Sequence, residues 1–349
     1  MPGPSLPPEI LEQIISSALM HGAPSPPSLS PEPPISTSIL LTSRTFSAIG
    51  AQCLYTHLRF TSVPRLRAFL AYFQENPESL RDEWCPRTME FSLANVDVST
   101  RIFELLRDLF LLYRDQGTEV LNSRARNTRS NDGDAGYDQQ GRLALDVLRL
   151  GFNSHMKDEA LGMVYQALQL VNPYRFVWTG PDNLEHHFSI AIVPPAVPCL
   201  FQALSTYTNL RELTITHVDF VTELIVIPPI PTLEKVNFGQ ATFVEPIWMA
   251  KSILDTCALP DSKLREVRLV DVYTHSIWGS RLRRSYLEEA AAQSLRSLHT
   301  PSDNIGAAER LDTRIRDAKD IIRRVVVCQA KTERKYGGDR ALDLADELL

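Results

Sequence analysis

Histidine, carboxylate and thiol side chains do much of protein chemistry, and in this chain two stretches bring acids and histidines together. Glu185-His186-His187 sets one acid beside two imidazoles. Adjacent residues of an extended segment point to opposite faces, so these two rings are not expected to share a metal. His155-Met156-Lys157-Asp158-Glu159 has the composition of a metal site but reads as a polar loop leading into a helix. Gly133, Gly136 and Gly141 lack the flanking strand and helix of a phosphate-binding loop. Arg281-Leu282-Arg283-Arg284 is a short basic run, expected on a solvated face. GxSxG, P-loop, HExxH and GxGxxG signatures are all missing. The expectation is a protein that is not an enzyme, with no catalytic residue, no metal and no cofactor.

Cys53, Cys85, Cys199, Cys257 and Cys328 are scattered, with no CxxC pair. Such an odd set reads as reduced thiols in an intracellular, cytoplasmic or nuclear, protein. The start of the chain lacks a basic signal-peptide region, and Glu9 and Glu12 interrupt its apolar stretch. No run approaches the roughly 18 apolar residues of a membrane helix. The net charge of −6 carries no footprint for nucleic acid and no polybasic membrane patch. Hydrophobic residues make up 44% of 349, enough for one small and one larger domain.

In the first element, Ile10, Leu11, Ile14, Ile15, Ala18 and Leu19 fall on one helical face. Pro7 and Pro8 suit the first turn, whose N–H groups lack helical partners. Proline, serine and glycine then dominate, and residues 22–35 are expected to be a disordered loop. Leu40, Leu41, Phe46 and Ile49 predict a second short helix, broken at Gly50. Cys53, Leu54, Tyr55 and Leu58 predict a third, and Ser62 and Pro64 open a fourth through Leu66, Phe69, Leu70 and Phe73. Asn76-Pro77 stops it.

"LPPEILEQII" followed by "LLTSRTFSAIGAQCLYTHLRF" resembles an F-box, the three-helix module of ubiquitin-ligase adaptors. The matching positions are Leu6, Pro7, Glu9, Ile10, Leu11, Ile14 and Ile15, then Leu40, Leu41, Ser43, Arg44, Phe46, Leu54 and Tyr55. The phrase extended to "LRAFL" further resembles the expanded F-box families of mushroom-forming fungi. The match covers about a sixth of the chain. F-box helices are usually joined by a short link, and here the Pro-rich loop intervenes; loop closure grows by only about 0.6 kcal/mol per doubling of length. The resemblance implies that these residues bind a Skp-type adaptor and, through it, cullin and RING subunits.

Farther on, the phrase L-x-x-Φ-x-Φ (Φ apolar) recurs in "NLRELTI" at Asn209, "TLEKVNF" at Thr232, "KLREVRL" at Lys263 and "ALDVLRL" at Ala144. "TMEFSL" at Thr88 and "SLRSLHT" at Ser294 are weaker copies. The form is that of a leucine-rich-repeat strand, and the steps between the three best copies, about 23 and 31 residues, suit one repeat or an enlarged one. Amphipathic helices lie between: Ala160, Leu161, Val164, Tyr165 and Leu168; Leu200, Phe201, Leu204 and Tyr207; Ile247, Ile253, Leu254 and Cys257 after Pro246. An asparagine ladder is absent from the pattern. The expected fold class is α+β / α/β: a small helical F-box-like module, then an irregular leucine-rich-repeat-like solenoid with a parallel sheet. A plain α/β domain is the alternative.

Ser99–Arg114 predicts a strong helix, and residues 116–141, poor in large apolar residues, a disordered insertion. Ile305, Ala308, Leu311, Ile315, Ala318, Ile322 and Val325 recur by threes and fours, with Asp312–Arg316, Arg316–Asp320 and Asp320–Arg324 spaced for ion pairs. That predicts a capping helix, with "VVVC" as an alternative last strand. The domains expected are 1–76, 77–303 and 304–349.

The function expected is substrate recognition for an SCF-type ubiquitin ligase. A target protein of unknown identity would meet outward strand residues Glu212, Thr214, Lys235, Asn237, Glu266 and Arg268. The alternative is a leucine-rich interaction module that recruits no ligase.

Overall fold

A computed structural model describes residues 8–20, 37–76, 85–93, 96–126, 136–180, 190–220, 229–297 and 305–330. The elements of the first half are α1 (Pro8–Met20), α2 (Arg44–Thr56), β1 (His57–Phe60), α3 (Val63–Glu75), β2 (Thr88–Ser92), α4 (Ile102–Arg126), β3 (Val147–Gly151) and α5 (Met163–Leu168). Those of the second half are β4 (Arg175–Thr179), α6 (Ala196–Leu204), β5 (Glu212–Thr216), β6 (Lys235–Gly239), α7 (Pro246–Cys257), β7 (Glu266–Val270), α8 (Arg284–Ser297), α9 (Ile305–Val325) and β8 (Val326–Gln329). The fold is a mixture of helix and parallel sheet. Among the described residues eight strands form one sheet, all parallel and in chain order, each pairing with the next.

Alternation within the strands decides which side is core. Leu58, Met89, Leu148, Phe176, Leu213, Val236, Val267 and Val326 are register partners in one inward row. Phe60, Phe91, Leu150, Trp178, Ile215, Phe238, Leu269 and Cys328 form the next. All of these are buried. At the N-terminal end the row ends in stacked rings, Phe60 on Phe91, with centroids 5.4 Å apart. Near the middle, Trp178 packs on Phe103 and Phe152 and donates its indole N–H to the Phe152 carbonyl at 3.1 Å. Helices α3 to α9 cover this side. Their buried residues, such as Leu66, Phe110, Val164, Leu200, Ile253, Leu287 and Ile322, belong to the same cluster as the strands.

Two turn systems repeat along the sheet. Ahead of the strands, the Glu212 and Lys235 amides bond the carbonyls of Tyr174 and Arg211, and that of Glu266 bonds Glu234. After β5, β6 and β7 the chain turns at His217, Gln240 and Asp271, with φ of 58°, 48° and 52°. The amides of these three corners reach Gly239, Val270 and Gln329 in the following strand. A left-handed corner costs a non-glycine residue free energy, and each of these is tied to its neighbour by the hydrogen bond.

Several elements differ from the expectations. Gly50 does not break a helix: α2 runs from Arg44 to Thr56 through it. The bare backbone there admits the Leu40 side chain, which a Cβ would meet. Leu58 belongs to β1 rather than to a third helix. The sheet and main core therefore begin inside the expected first domain, and α3 packs on the sheet through Leu66, Leu70 and Phe73. The helix expected to stop at Arg114 continues to Arg126, into the expected insertion. Gly136–Gly141 forms a turn held by Asp138, while 127–135 lie outside the described residues. "SLRSLHT" does not begin a strand: Ser294–Ser297 close α8. Its Leu295 and Leu298 are spaced by three, which suits a helix as well as the repeat phrase. At the C-terminus helix and strand both occur. α9 packs on α8 and α7, and β8 adds an eighth strand, as its β-branched valines favour. The charges of α9 turn mainly to α8: Arg323 reaches Glu288 at 2.8 Å and Lys319 reaches Glu289 at 3.3 Å, while along the helix Arg323 also meets Asp320 at 3.1 Å.

Candidate functional site

Two surfaces hold the residues singled out by the sequence. The first is the helical pair at the start. α1 lies on α2, and their contact is a small cluster of its own: Ile15, Leu19 and Cys53 buried, with Phe46, Ile49 and Leu54 packed around them. Ser43 caps α2, its hydroxyl accepting the Phe46 N–H at 3.1 Å. One stripe of α1 is thus used up internally. The neighbouring positions are not: Ile10 is 41% exposed, Ile14 47%, and Leu41, in the short 3-10 turn Thr37–Leu41, 88%. Leu11 and Leu40 are half-buried, and Arg44 is exposed. Tyr55 turns away from this pair and packs on Phe69 and Phe73 of α3. Leu6 and Pro7 lie outside the described residues, as do residues 22–35, expected as a loop; of the Glu9 side chain nothing is described.

The second surface is the side of the sheet away from the helices. Here register partners line up as Arg175, Glu212, Lys235 and Glu266 in one row, and as Arg59, Glu90, Arg149, Val177, Thr214, Asn237 and Arg268 in the next. All six residues expected to meet a target therefore share one face, in two adjacent rows. Glu212 bridges two cations, Arg175 (Nε at 2.6 Å) and Lys235 (3.9 Å). Arg268 lies 3.4 Å from Glu266, and Arg59 3.9 Å from Glu90. Among the described residues, Asn237 Oδ1 finds no donor. Beside these rows runs a third of small residues, in which Gly151 pairs with Thr179 and Thr216 with Gly239. Arg149, Val177 and Arg175 were not singled out from the sequence. Only the missed strand β4 and the outward position in "ALDVLRL" would have found them.

Groups suited to chemistry are placed otherwise. Burial pushes the Cys85 thiol up to about 11 and the Cys328 thiol up to about 12, and it raises Cys53, Cys199 and Cys257 too. A nucleophilic thiol needs the opposite shift. His155 bonds the Val96 carbonyl at 2.7 Å and so anchors a loop. Arg281 is buried, not solvated, with Nε 3.0 Å from buried Asp271; a charge taken out of water has to be paired. Among the described residues no group of three His, Cys, Asp or Glu is arranged to hold a metal ion. None of their helices is long and apolar enough to cross a membrane. Glu185, His186 and His187 lie outside the described residues.

One buried amide ties the turn before β4 to the turn before β5. Asn172, fully buried, accepts the N–H groups of Thr208 and Asn209 through Oδ1, at 3.1 and 3.2 Å. Its Nδ2 donates to Asp138 and to the Thr208 hydroxyl, both at 2.8 Å. No family model matches the chain, and neither a curated protein nor a solved structure matches it.

Proposed function

We propose that the chain is a substrate-recognition subunit of an SCF-type ubiquitin ligase, an F-box-like pair of helices followed by leucine-rich-like repeats. The observation that carries this reading is the surface left by α1 and the turn before α2. Ile10, Ile14 and Leu41 are large, apolar and uncovered, while Ile15 and Leu19 close the internal cluster. A short helix spends apolar residues on its outer side when a partner covers them. A Skp-type adaptor is the partner that the sequence resemblance names. The repeat reading is supported by the corners at His217, Gln240 and Asp271 and by the sheet's one-sided alternation. Purely parallel sheets usually bury both faces; stacked repeats leave one face for binding. The work done is positioning. One end holds the ligase and the other holds the target, which raises the local concentration of a target lysine.

Co-purification of the full chain with a Skp-type adaptor tests the reading. Wild type forms the complex, and Ile10→Asp/Ile14→Asp loses it while keeping its circular dichroism. Both positions are already open to water, so the charges leave the internal cluster intact. Wild type without a complex would leave an interaction module that recruits no ligase.

A further inference from the structure

The open face of the sheet differs in charge from the molecule that carries it. Its outward strand positions hold Arg59, Arg149, Arg175, Lys235 and Arg268 against Glu90, Glu212 and Glu266. That is five cations against three carboxylates, in a chain whose net charge is −6. The acids are also shared. Glu212 serves both Arg175 and Lys235, so one of its two neighbours is always in surplus. Arg149 is exposed and makes no ion pair among the described residues; its register partners are Glu90, which lies near Arg59, and uncharged Val177. Next to the charges run the small residues Gly151, Thr179, Thr216 and Gly239, which keep that strip of the face low.

We propose that this face takes an extended, acidic protein segment laid across the strands, with its carboxylates on Arg149, Arg175, Lys235 and Arg268. The proposal rests on the reading of this face as the target-binding surface and names the chemistry of the target. From Arg149 on β3 to Arg268 on β7 there are four strand spacings, about 19 Å, which an extended chain covers in about six residues. A nucleic acid is the poorer fit. Its phosphates form an unbroken line of charge, whereas Glu212 and Glu266 stand between the cations and repel such a line. A peptide places acids at the cations and neutral residues at the glutamates.

Selection from a random dodecapeptide phage library on the immobilised full chain, followed by anisotropy of the selected peptides, tests this. The expected result is enrichment of Asp- and Glu-rich peptides. Their binding weakens at least tenfold in Arg149→Glu/Arg268→Glu, and by a smaller factor in the milder Arg149→Ser, and falls as salt rises from 50 to 200 mM. Enriched peptides that lack acids but depend on Arg149 would overturn the acidic chemistry and leave the face as a binding surface. Peptides indifferent to Arg149 and Arg268, or no enrichment, would overturn the face itself. Tighter binding of an oligo-dT 20-mer than of any selected peptide would replace the peptide with nucleic acid. None of these outcomes depends on the adaptor, so failure here is separate from failure of the ligase reading.

Discussion

Asn172 makes four hydrogen bonds from a fully buried amide, two to backbone N–H groups of the turn before β5 and two to side chains. Replacing it by Ala orphans those groups, each at about 1–3 kcal/mol when no water reaches it. Asn172→Ala is therefore expected to lower stability by about 3 kcal/mol in urea unfolding, and Asn172→Asp at least as much, because it puts a carboxylate beside Asp138. A loss under about 1 kcal/mol would show that the turn holds itself. The buried thiols predict a pH effect. The folded state keeps Cys85 and Cys328 protonated to about 11 and about 12, against an ordinary 9.0. Their contribution is whole below pH 9 and is lost as pH rises through the folded values. Cys328→Ala should flatten the fall in stability between pH 9 and 11 relative to wild type, measured by denaturant titration at each pH; parallel curves would contradict this.

At the scale of elements, α2 depends on a glycine that was expected to end it. Ala is about 1 kcal/mol better than Gly inside a helix, yet a Cβ at position 50 meets the end of the Leu40 side chain. Gly50→Ala is expected to loosen the 3-10 turn against α2, read as faster proteolysis near Leu40, and Gly50→Ala/Leu40→Ala to recover the helix gain. If Gly50→Ala alone stabilises the pair, Leu40 moves aside freely. Gly50 also marks where sequence reasoning stops. Helix propensity is local, and the contact that makes Gly useful comes from ten residues away. The strands show the same boundary. β3, β5, β6 and β7 were legible because Leu145, Leu210, Leu233 and Leu264 each stand three residues ahead of an inward apolar residue. β4 has Pro173 at that place and was missed. β1 was missed because it follows α2 directly and its Leu58 stands three residues after Tyr55, a helical spacing. Of the two surfaces, the residues of β5 to β7 were legible from alternation. Which side of α1 stays open was not, since Ile10, Leu11, Ile14 and Ile15 are alike in type and only the packing of α2 separates them.

At the scale of the whole molecule, the described residues form one large core from Leu58 to Ala330 and one small cluster between α1 and α2. Buried apolar contact sets how hard a region is to open, so the two should open separately. Hydrogen exchange is expected to show amides of α1 and α2 exchanging well before those of β2 to β7; equal protection would mean that the N-terminal pair unfolds only with the sheet. The same division gives the protein its proposed working parts, a small end that meets the ligase and a long face that meets the target. Calorimetric titration of a purified Skp-type adaptor into the full chain tests that account most directly. The prediction is one-to-one binding by wild type and none by Ile10→Asp/Ile14→Asp with its fold intact. No heat from wild type, or equal heat from both proteins, would contradict it.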